Sequence, residues 1–265
     1  MTIAVFGATG MVGGRVVIEA RTRGHRVLAL SRKPASDTRG AAPAPADPGV
    51  TPLAVDVTDA TAVHRTLAAA AGRRFPAGAA VNTDVSVSRE AAPPADSVTA
   101  GPAAAGGRAG ALDAVVLAVR RYPADRAFLV DATRTVLDVA ARFGARVLVV
   151  GGAGALRSPG DPELPVAENP AYVPAEHRAV AAAGIAQLDA CRARLEADWV
   201  YLSPPALLAP GTRTARYRRG TDTLLTGADG RSYASAEDLA AAVLDELETP
   251  GPDRHFTIAE RPDSA

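Results

Sequence analysis

Short apolar runs alternate along the chain with longer stretches of mixed polarity. The runs are apolar on both faces, which is typical of strands in a parallel sheet that helices cover on each side. The stretches between them have the length and polarity of helices. The apolar runs are Thr2 to Gly7, Arg26 to Ser31, Val50 to Val57, Leu112 to Val119, Arg146 to Gly152 and Asp198 to Pro205. The pattern therefore predicts an α/β fold built on a doubly wound parallel sheet.

Residues 69–110 interrupt this alternation. They are rich in alanine, glycine and proline and contain few large apolar side chains. Segments of this kind inside a compact domain are usually either disordered or functional, so we expect a long flexible insertion that is poorly ordered or acts as a lid or partner contact. The shorter segment from Ala35 to Pro48 has the same character.

The pattern becomes irregular after Pro205. It predicts a hairpin around Thr226 to Tyr233 and a closing strand from Arg254 to Ala259. Between them it predicts a helix that begins at the cap-like residues Ser235 and Asp238.

The stretch VFGATGMVGGRV, residues 5–16, has glycines at Gly7, Gly10 and Gly13, where the first apolar run ends and a helical stretch begins. The spacing suits a tight turn at Gly7 and close helix-to-strand packing at Gly13. At Gly10 it suits the approach of a pyrophosphate, with which any side chain would collide. Backbone N–H groups at the start of the helix would then meet the phosphates. Because a strand precedes the turn and a helix follows it, the stretch predicts a Rossmann-type dinucleotide site, with a purely structural turn as the alternative.

The end of the second apolar run indicates which dinucleotide binds. A site that prefers NAD usually has an acidic residue there, whereas this chain has Ser31, Arg32 and Lys33. Arg32 can pair with a 2′-phosphate, with Lys33 as a second charge and Ser31 as a hydrogen-bond donor. The sequence therefore favours NADP(H) over NAD(H), unless these are ordinary solvated charges. After the third run, Asp56 and Val57 are placed to meet the adenine edge, although Asp56 could equally cap the next helix.

The composition of the chain limits the classes of partner that we expect it to bind. The 29 basic and 29 acidic residues balance, so no overall field would hold the chain on nucleic acid or on an anionic membrane, and we expect a small-molecule partner. No run approaches the length of a membrane span and no secretory leader is recognisable, so we expect a cytoplasmic protein. A lone cysteine, Cys191, and four scattered histidines predict neither a disulfide framework nor a metal site. A homo-oligomer is possible on this composition.

Several motifs together resemble the atypical short-chain dehydrogenase/reductases, the group that includes the NmrA-like proteins and biliverdin reductase B, a flavin reductase. The motifs are GATGMVG, DVTD, VLVVGGAGAL, DWVYLSPPALLAPGTRTARY and GADGRSYASAEDLAAAVLDELE. The last two are the more specific, because glycine turns occur in many unrelated folds. The resemblance covers nearly the whole chain outside residues 69–110.

The resemblance implies a single NAD(P)-binding Rossmann domain over residues 1–265, in which residues 205–265 form a small C-terminal region that closes the substrate cleft. It also implies that the nicotinamide half lies near Val119 and Arg120, Gly151 to Ala153, and Ser203 to Pro205. The turn, the strand ends and the resemblance together give the predicted cofactor-binding residues Gly7, Thr9, Gly10, Met11, Val12, Gly13, Ser31, Arg32, Lys33, Asp56, Val57, Val119, Gly151, Gly152, Ala153, Ser203 and Pro204.

The catalytic group is harder to predict. Ordinary short-chain dehydrogenases use a Tyr-x-x-x-Lys pair, but Lys33 is the only lysine here and no such pair exists. The remaining candidates are His177, whose ordinary pKa suits proton transfer at neutral pH, and the tyrosines Tyr201 and Tyr122. Each could instead be a solvated or packing residue. Biliverdin reductase B-like proteins carry a histidine where this chain aligns Ile185, so that group's mechanism does not transfer.

Three functions fit these residues. The first is an NADPH-dependent reductase of a small carbonyl, quinone, flavin or enone, in which the fold supplies orientation and excludes water. The second is a non-redox isomerase, dehydratase or cyclase on the same scaffold. The third is a regulatory protein that senses NADP(H), as the NmrA-like resemblance implies.

Overall fold

An eight-stranded sheet forms the centre of the fold in the computed structural model, which describes residues 1–33, 47–70, 72 and 112–261. The strands are β1 (Thr2–Phe6), β2 (Arg26–Ser31), β3 (Val50–Ala54), β4 (Ala114–Leu117), β5 (Arg146–Val150), β6 (Arg157–Ser158), β7 (Asp161–Pro165), β8 (Trp199–Ser203), β9 (Leu207–Ala209), β10 (Tyr217–Gly220), β11 (Tyr233–Ser235) and β12 (His255–Glu260). The helices are α1 (Met11–Thr22), α2 (Ala60–Ala70), α3 (Arg126–Phe143), α4 (Arg178–Arg192) and α5 (Ala236–Glu248).

The order of the strands confirms the predicted doubly wound architecture. The central sheet runs β10-β12-β8-β5-β4-β1-β2-β3, and every pair in it is parallel except the edge pair of β10 and β12. The chain moves outward from β1 through β2 to β3 and then returns to β4 on the other side of β1. The crevice between β1 and β4 is therefore the switch point at which ligands bind in folds of this type.

Helices cover the sheet on both faces. Helices α1 and α5 bury their apolar sides on one face, where Val16 and Leu239 pack with the strand residue Ile3. Helices α2, α3 and α4 cover the other face, where Val136 and Leu188 contribute. The two-sided burial explains why the strands read as continuous apolar runs rather than alternating ones.

Much of the C-terminal region is built into this core. Strands β10 and β12 extend the central sheet and α5 packs on α1, while β9 and β11 pair with each other in a small parallel sheet. Ser235 caps α5 as predicted, because its Oγ accepts from the backbone N–H of Asp238 at 3.0 Å. The predicted hairpin around residues 226–233 is wrong. Residues 227–231 form a tight turn, but the strand that follows pairs with β9 rather than folding back on its neighbour.

Two buried carboxylates tie distant parts of the chain together. The carboxylate of Glu19 on α1 accepts from Arg213 at 2.6 and 2.7 Å, and these bonds hold the pKa of Glu19 below its usual value. Glu246 on α5, whose side chain is fully buried, accepts from Arg146 at 2.8 Å and from Arg219 at 2.7 Å. A buried charge that lost such partners would be strongly destabilising, so these pairs fix the C-terminal region against the sheet.

Most of the two predicted loops lies outside the described residues. Of residues 69–110, Ala69 and Ala70 are the last residues of α2, Gly72 follows in a turn, and the structure does not describe the rest. Of Ala35 to Pro48, only Asp47 and Pro48 are described.

Candidate functional site

A cleft of about 370 Å³ opens at the carboxyl ends of the central strands. Its walls come from the segments that follow β1, β2, β3, β4 and β5 and from the residues just after β8. The predicted cofactor residues that line it are Gly7, Thr9, Gly10, Met11, Val12, Ser31, Arg32, Val57, Val119, Gly151 and Pro204. Residues from the glycine turn, from the ends of β2 and β3 on one side of it and from the ends of β4, β5 and β8 on the other therefore meet in one cavity.

The glycine turn has the conformation that its spacing predicted. Gly7 has φ +83°, and a Cβ there would lie 2.2 Å from the carbonyl oxygen of Ala118. A Cβ on Gly13 would lie 2.1 Å from the carbonyl oxygen of Gly7, so α1 can pack this closely on the turn only with glycine at that position. Both glycines are thus required by the protein itself.

Gly10 is different, because the protein alone gives little reason for a glycine there. Its φ of −81° and ψ of 171° suit any residue, and the one atom near an added Cβ is the Gly7 carbonyl oxygen at 3.2 Å, a tight contact that a shift of a few tenths of an ångström would relieve. The open side of Gly10 faces the cleft that it lines, at the start of α1. The residues present therefore fit a bound phosphate group, which would fill the space that a side chain would take.

Two guanidinium groups line the same cleft. Arg32 follows β2 and Arg120 follows β4, and within the described ranges neither has an ion pair or a side-chain hydrogen bond. Arg121, the residue after Arg120, already has partners, since it donates to Asp125 at 3.1 Å and its guanidinium lies over the ring of Phe128. Arg32 and Arg120 therefore remain available to an anionic ligand.

Six predicted cofactor residues do not line the cleft: Gly13, Lys33, Asp56, Gly152, Ala153 and Ser203. Gly13 serves helix packing, and the exposed Lys33 contributes its carbonyl, which accepts from the Ser31 hydroxyl at 2.7 Å. That bond also occupies the Ser31 hydroxyl predicted as a donor to phosphate. Ser203 is fully buried and donates to the carbonyl of Gly152 at 3.1 Å.

Asp56 stabilises a turn. Its Oδ1 accepts from the backbone N–H of Thr58 at 2.9 Å and from the Thr58 hydroxyl at 2.7 Å, and these bonds lower the pKa of Asp56. The cap of α2 is Asp59, whose Oδ1 accepts from the N–H of Ala62 at 2.9 Å. Asp56 therefore does not cap α2. It lies between the cleft-lining residues Val55 and Val57, and its place at the adenine edge stays a prediction.

The sequence reasoning missed most of the apolar walls. The residues not predicted are Phe6, Leu30, Val55, Ala118, Phe128, Val150 and Leu208. Five of them lie at or next to the ends of β1 to β5, but an apolar residue at a strand end looks the same in a sequence whether it faces a ligand or the core. Phe128 lies on α3 and Leu208 on β9, and the sequence does not show that these elements reach the cleft.

The three predicted catalytic residues do not meet in the cleft. Tyr122 is 89% exposed, and His177 is an exposed residue at the start of α4; neither lines the cavity. Tyr201 is 0% exposed, and its hydroxyl donates to the carbonyl of Gly184 at 2.9 Å. Burial raises the pKa of Tyr201 well above its usual value, so this hydroxyl is a structural donor rather than a proton source for a substrate.

Replacing Tyr201 with phenylalanine tests that correction. The ring, which supports Gly151, stays in place, while the carbonyl of Gly184 loses its donor. We expect urea unfolding to show a loss of about 1 to 2 kcal/mol in the free energy of unfolding, with nucleotide binding and turnover unchanged. A large loss of turnover with unchanged stability would restore Tyr201 as a catalytic residue.

Few of the described side chains that line the cleft can ionise or form hydrogen bonds. Arg32 and Arg120 are its only titratable side chains within the part of the chain that the structure describes. Thr9 and Ser31 supply the hydroxyl groups, and both lie on the side of the glycine turn and β2. No described helix is long and apolar enough to cross a bilayer, and no described cluster of histidine, cysteine and carboxylate side chains has the arrangement of a metal site.

Fold and site together define a Rossmann-type NAD(P)-binding protein. Residues 1–78 match the NmrA-like family. The chain is 29% identical to YwnB of Bacillus subtilis over 252 residues, and this alignment covers 94% of this chain and 93% of YwnB. With this fold and this match over its first 78 residues, the chain is similar to the NmrA-like proteins of the atypical short-chain dehydrogenase/reductase group.

Solved structures show the same architecture. A protein of Burkholderia pseudomallei, described as a proposed exported protein, is 30% identical with a TM-score of 0.71, over 98% of this chain and 99% of that one. A proposed NADH-flavin reductase of Streptococcus pneumoniae is 22% identical with a TM-score of 0.68, over 98% of this chain and 100% of that one. The second likeness is one of fold alone.

Proposed function

We propose that this protein is an NADPH-dependent oxidoreductase whose acceptor is a flavin or a quinone. The observation that carries the proposal is the described part of the cleft wall, where two available guanidinium groups stand beside a β4, β5 and β8 side that is otherwise apolar and has no described side chain suited to donating a proton. The cofactor, when bound, supplies the hydride. The chain's own residues bind it, orient it and exclude water.

The cofactor part of the proposal depends on Gly10, Arg32 and Arg120. Gly10 gives a phosphate close access to the backbone at the start of α1. Arg32, which follows β2, would hold a 2′-phosphate on the adenosine side, and no carboxylate among the described residues that line the cleft would repel that group. Arg120 adds a second positive charge to the same cavity.

The choice of a flavin or a quinone as acceptor depends on the side chains at the other end of the cleft, where β4, β5 and β8 end. Reduction of an isolated carbonyl develops an alkoxide that must take up a proton, so this reaction gains most from a proton donor beside the carbonyl. Arg120 is not such a donor, because a guanidinium keeps its protons at neutral pH. The residues on the β4, β5 and β8 side, apart from Arg120, are Ala118, Val119, Phe128, Val150, Gly151, Pro204 and Leu208. None of these side chains can donate a proton. A flavin or a quinone fits such a wall, because it spreads the incoming charge over a conjugated system and can take its protons from water.

The apolar wall also supports this acceptor class, since a flat conjugated ring gains most from stacking on apolar surface.

The test is a comparison of acceptors under one set of conditions. Purified protein is titrated with NADPH and with NADH by following cofactor fluorescence, and absorbance at the NADPH band is then followed with FMN, a simple quinone and a simple aldehyde. We expect tighter binding of NADPH than NADH, and turnover with FMN or the quinone at least about tenfold above that with the aldehyde, a difference of about 1.4 kcal/mol in the barrier. Faster aldehyde reduction would contradict the acceptor class. Binding without any turnover would favour a nucleotide sensor instead.

A further inference from the structure

A hydrogen-bonded chain of His255, Ser203 and the carbonyl of Gly152 lies directly behind the cleft. His255 on β12 and Ser203 on β8 are neighbours because the two strands are parallel, with His255 opposite Tyr201 and Thr257 opposite Ser203. The His255 Nε2 lies 2.9 Å from the Ser203 Oγ, and the same Oγ lies 3.1 Å from the Gly152 carbonyl oxygen.

The direction of these hydrogen bonds follows from the chemistry of the three groups. A carbonyl oxygen can only accept, so the single hydroxyl proton of Ser203 goes to Gly152. Ser203 must then accept from His255, which requires the proton of the neutral imidazole to be on Nε2. The Nδ1 atom is buried and has no partner among the described residues, and leaving an acceptor unpaired there costs less than burying an N–H without an acceptor. Burial lowers the pKa of His255 to about 4, so the ring is neutral near pH 7.

This chain of bonds acts on the wall of the cleft. Gly151 and Pro204, the residues adjacent to Gly152 and Ser203, both line the cavity. Gly151 rests on the ring of Tyr201, so closely that an added Cβ would lie 1.9 Å from the ring Cζ. The backbone of residues 151–152 is therefore held at two points, by packing at Gly151 and by the bond from Ser203 at the next residue.

The topology places this held segment on the reactive side of the cofactor. The glycine turn after β1 would bind the pyrophosphate, and Arg32 after β2 lies on the adenosine side. The other half of a dinucleotide must then extend over the ends of β4, β5 and β8, where Gly151 and Pro204 lie.

We infer that His255 and Ser203 are positioning residues for hydride transfer, which hold the backbone of residues 151–152 in the orientation that aligns the reactive half of the cofactor with its acceptor. The inference rests on the proposed function. It assigns a role to His255, which does not touch the cleft and which the sequence motifs did not single out. Small errors of alignment at a reacting centre lower the rate more than they lower affinity.

The test compares two replacements of His255. In His255→Gln the side-chain amide nitrogen can reach the position of Nε2 and donate to Ser203, whereas His255→Leu has similar bulk and no donor. We expect His255→Leu and Ser203→Ala to lower kcat with NADPH and FMN by about tenfold while the Kd for NADPH changes by less than about twofold. His255→Gln should keep kcat within about threefold of the wild-type value.

Two further measurements separate this role from simple stabilisation. The ¹⁵N shifts of the His255 ring should show a proton on Nε2, and thermal unfolding should show whether the glutamine and leucine variants are equally folded. A proton on Nδ1, or a leucine variant with wild-type kcat, would overturn the inference. So would a glutamine variant that loses as much kcat as the leucine variant, because the donated bond would then not matter. Failure of the wild-type protein to bind NADPH would instead refute the proposed function, and the positioning role with it.

Discussion

Replacing Arg32 with alanine is expected to weaken NADPH binding by about 10- to 100-fold while changing NADH binding by less than about threefold. The difference between the two cofactors is the 2′-phosphate, and Arg32 is the guanidinium that follows β2 and lines the cleft. Charge-assisted bonds from an arginine to phosphate contribute about 1.5 to 3 kcal/mol, which corresponds to this range of affinity.

The chain offers a matched control one residue away. Lys33 carries the same charge and is exposed, but it does not line the cleft, so Lys33→Ala should change NADPH binding by less than about threefold. Arg120→Ala removes the other available guanidinium of the cleft wall. Fluorescence titrations of the three variants with NADPH and with NADH measure these changes in affinity. Equal losses of NADPH and NADH affinity in Arg32→Ala would show that Arg32 contacts a part of the cofactor common to both.

The parts of the fold that the sequence predicts are those governed by local pattern. The strands β1, β2, β4, β5 and β8 lie within apolar runs because they are largely buried on both faces, whereas β3 lies in such a run although it is an edge strand with Pro52 and Ala54 exposed. Gly7 and Gly13 were recognisable because their constraints involve residues close in sequence or the strand next to the turn. The predicted hairpin failed because Tyr233 pairs with Leu207 on a strand that is not its chain neighbour, and no local pattern encodes that choice.

The same distinction separates the parts of the site that were predicted from those that were missed. Arg32 stands out because a charge at the end of β2 is informative without any tertiary contact. Tyr201 looked like a catalytic residue because a sequence does not show that its hydroxyl is satisfied by the carbonyl of Gly184 on a separate helix. The pairing of His255 with Ser203, 52 residues apart in the chain, depends on the register between β12 and β8. Contacts of that kind are set by packing rather than by spacing.

Replacing Gly10 with alanine is expected to reduce NADPH affinity by more than about 100-fold while lowering the free energy of unfolding by less than about 1 kcal/mol. The backbone angles at Gly10 suit alanine, and the new Cβ makes one tight contact, 3.2 Å from the carbonyl oxygen of Gly7, which a shift of a few tenths of an ångström relieves. The methyl group instead takes the space in which a phosphate would approach the backbone at the start of α1. Isothermal titration calorimetry with NADPH, beside urea unfolding of the free protein, measures both quantities.

Alanine substitutions at two neighbouring glycines are the controls for Gly10→Ala. In Gly13→Ala the new Cβ would lie 2.1 Å from the carbonyl oxygen of Gly7, a backbone atom that cannot move aside, so we expect a loss of about 3 kcal/mol in the free energy of unfolding. In Gly14→Ala the nearest atom is the carbonyl oxygen of Ala8 at 3.4 Å, an ordinary contact, and α1 gains a better helix former, so both stability and NADPH binding should be retained. The three substitutions add the same methyl group within five residues. If Gly10→Ala bound NADPH as tightly as Gly14→Ala does, the phosphate would not approach the backbone at Gly10, and the position of the cofactor proposed here would be wrong.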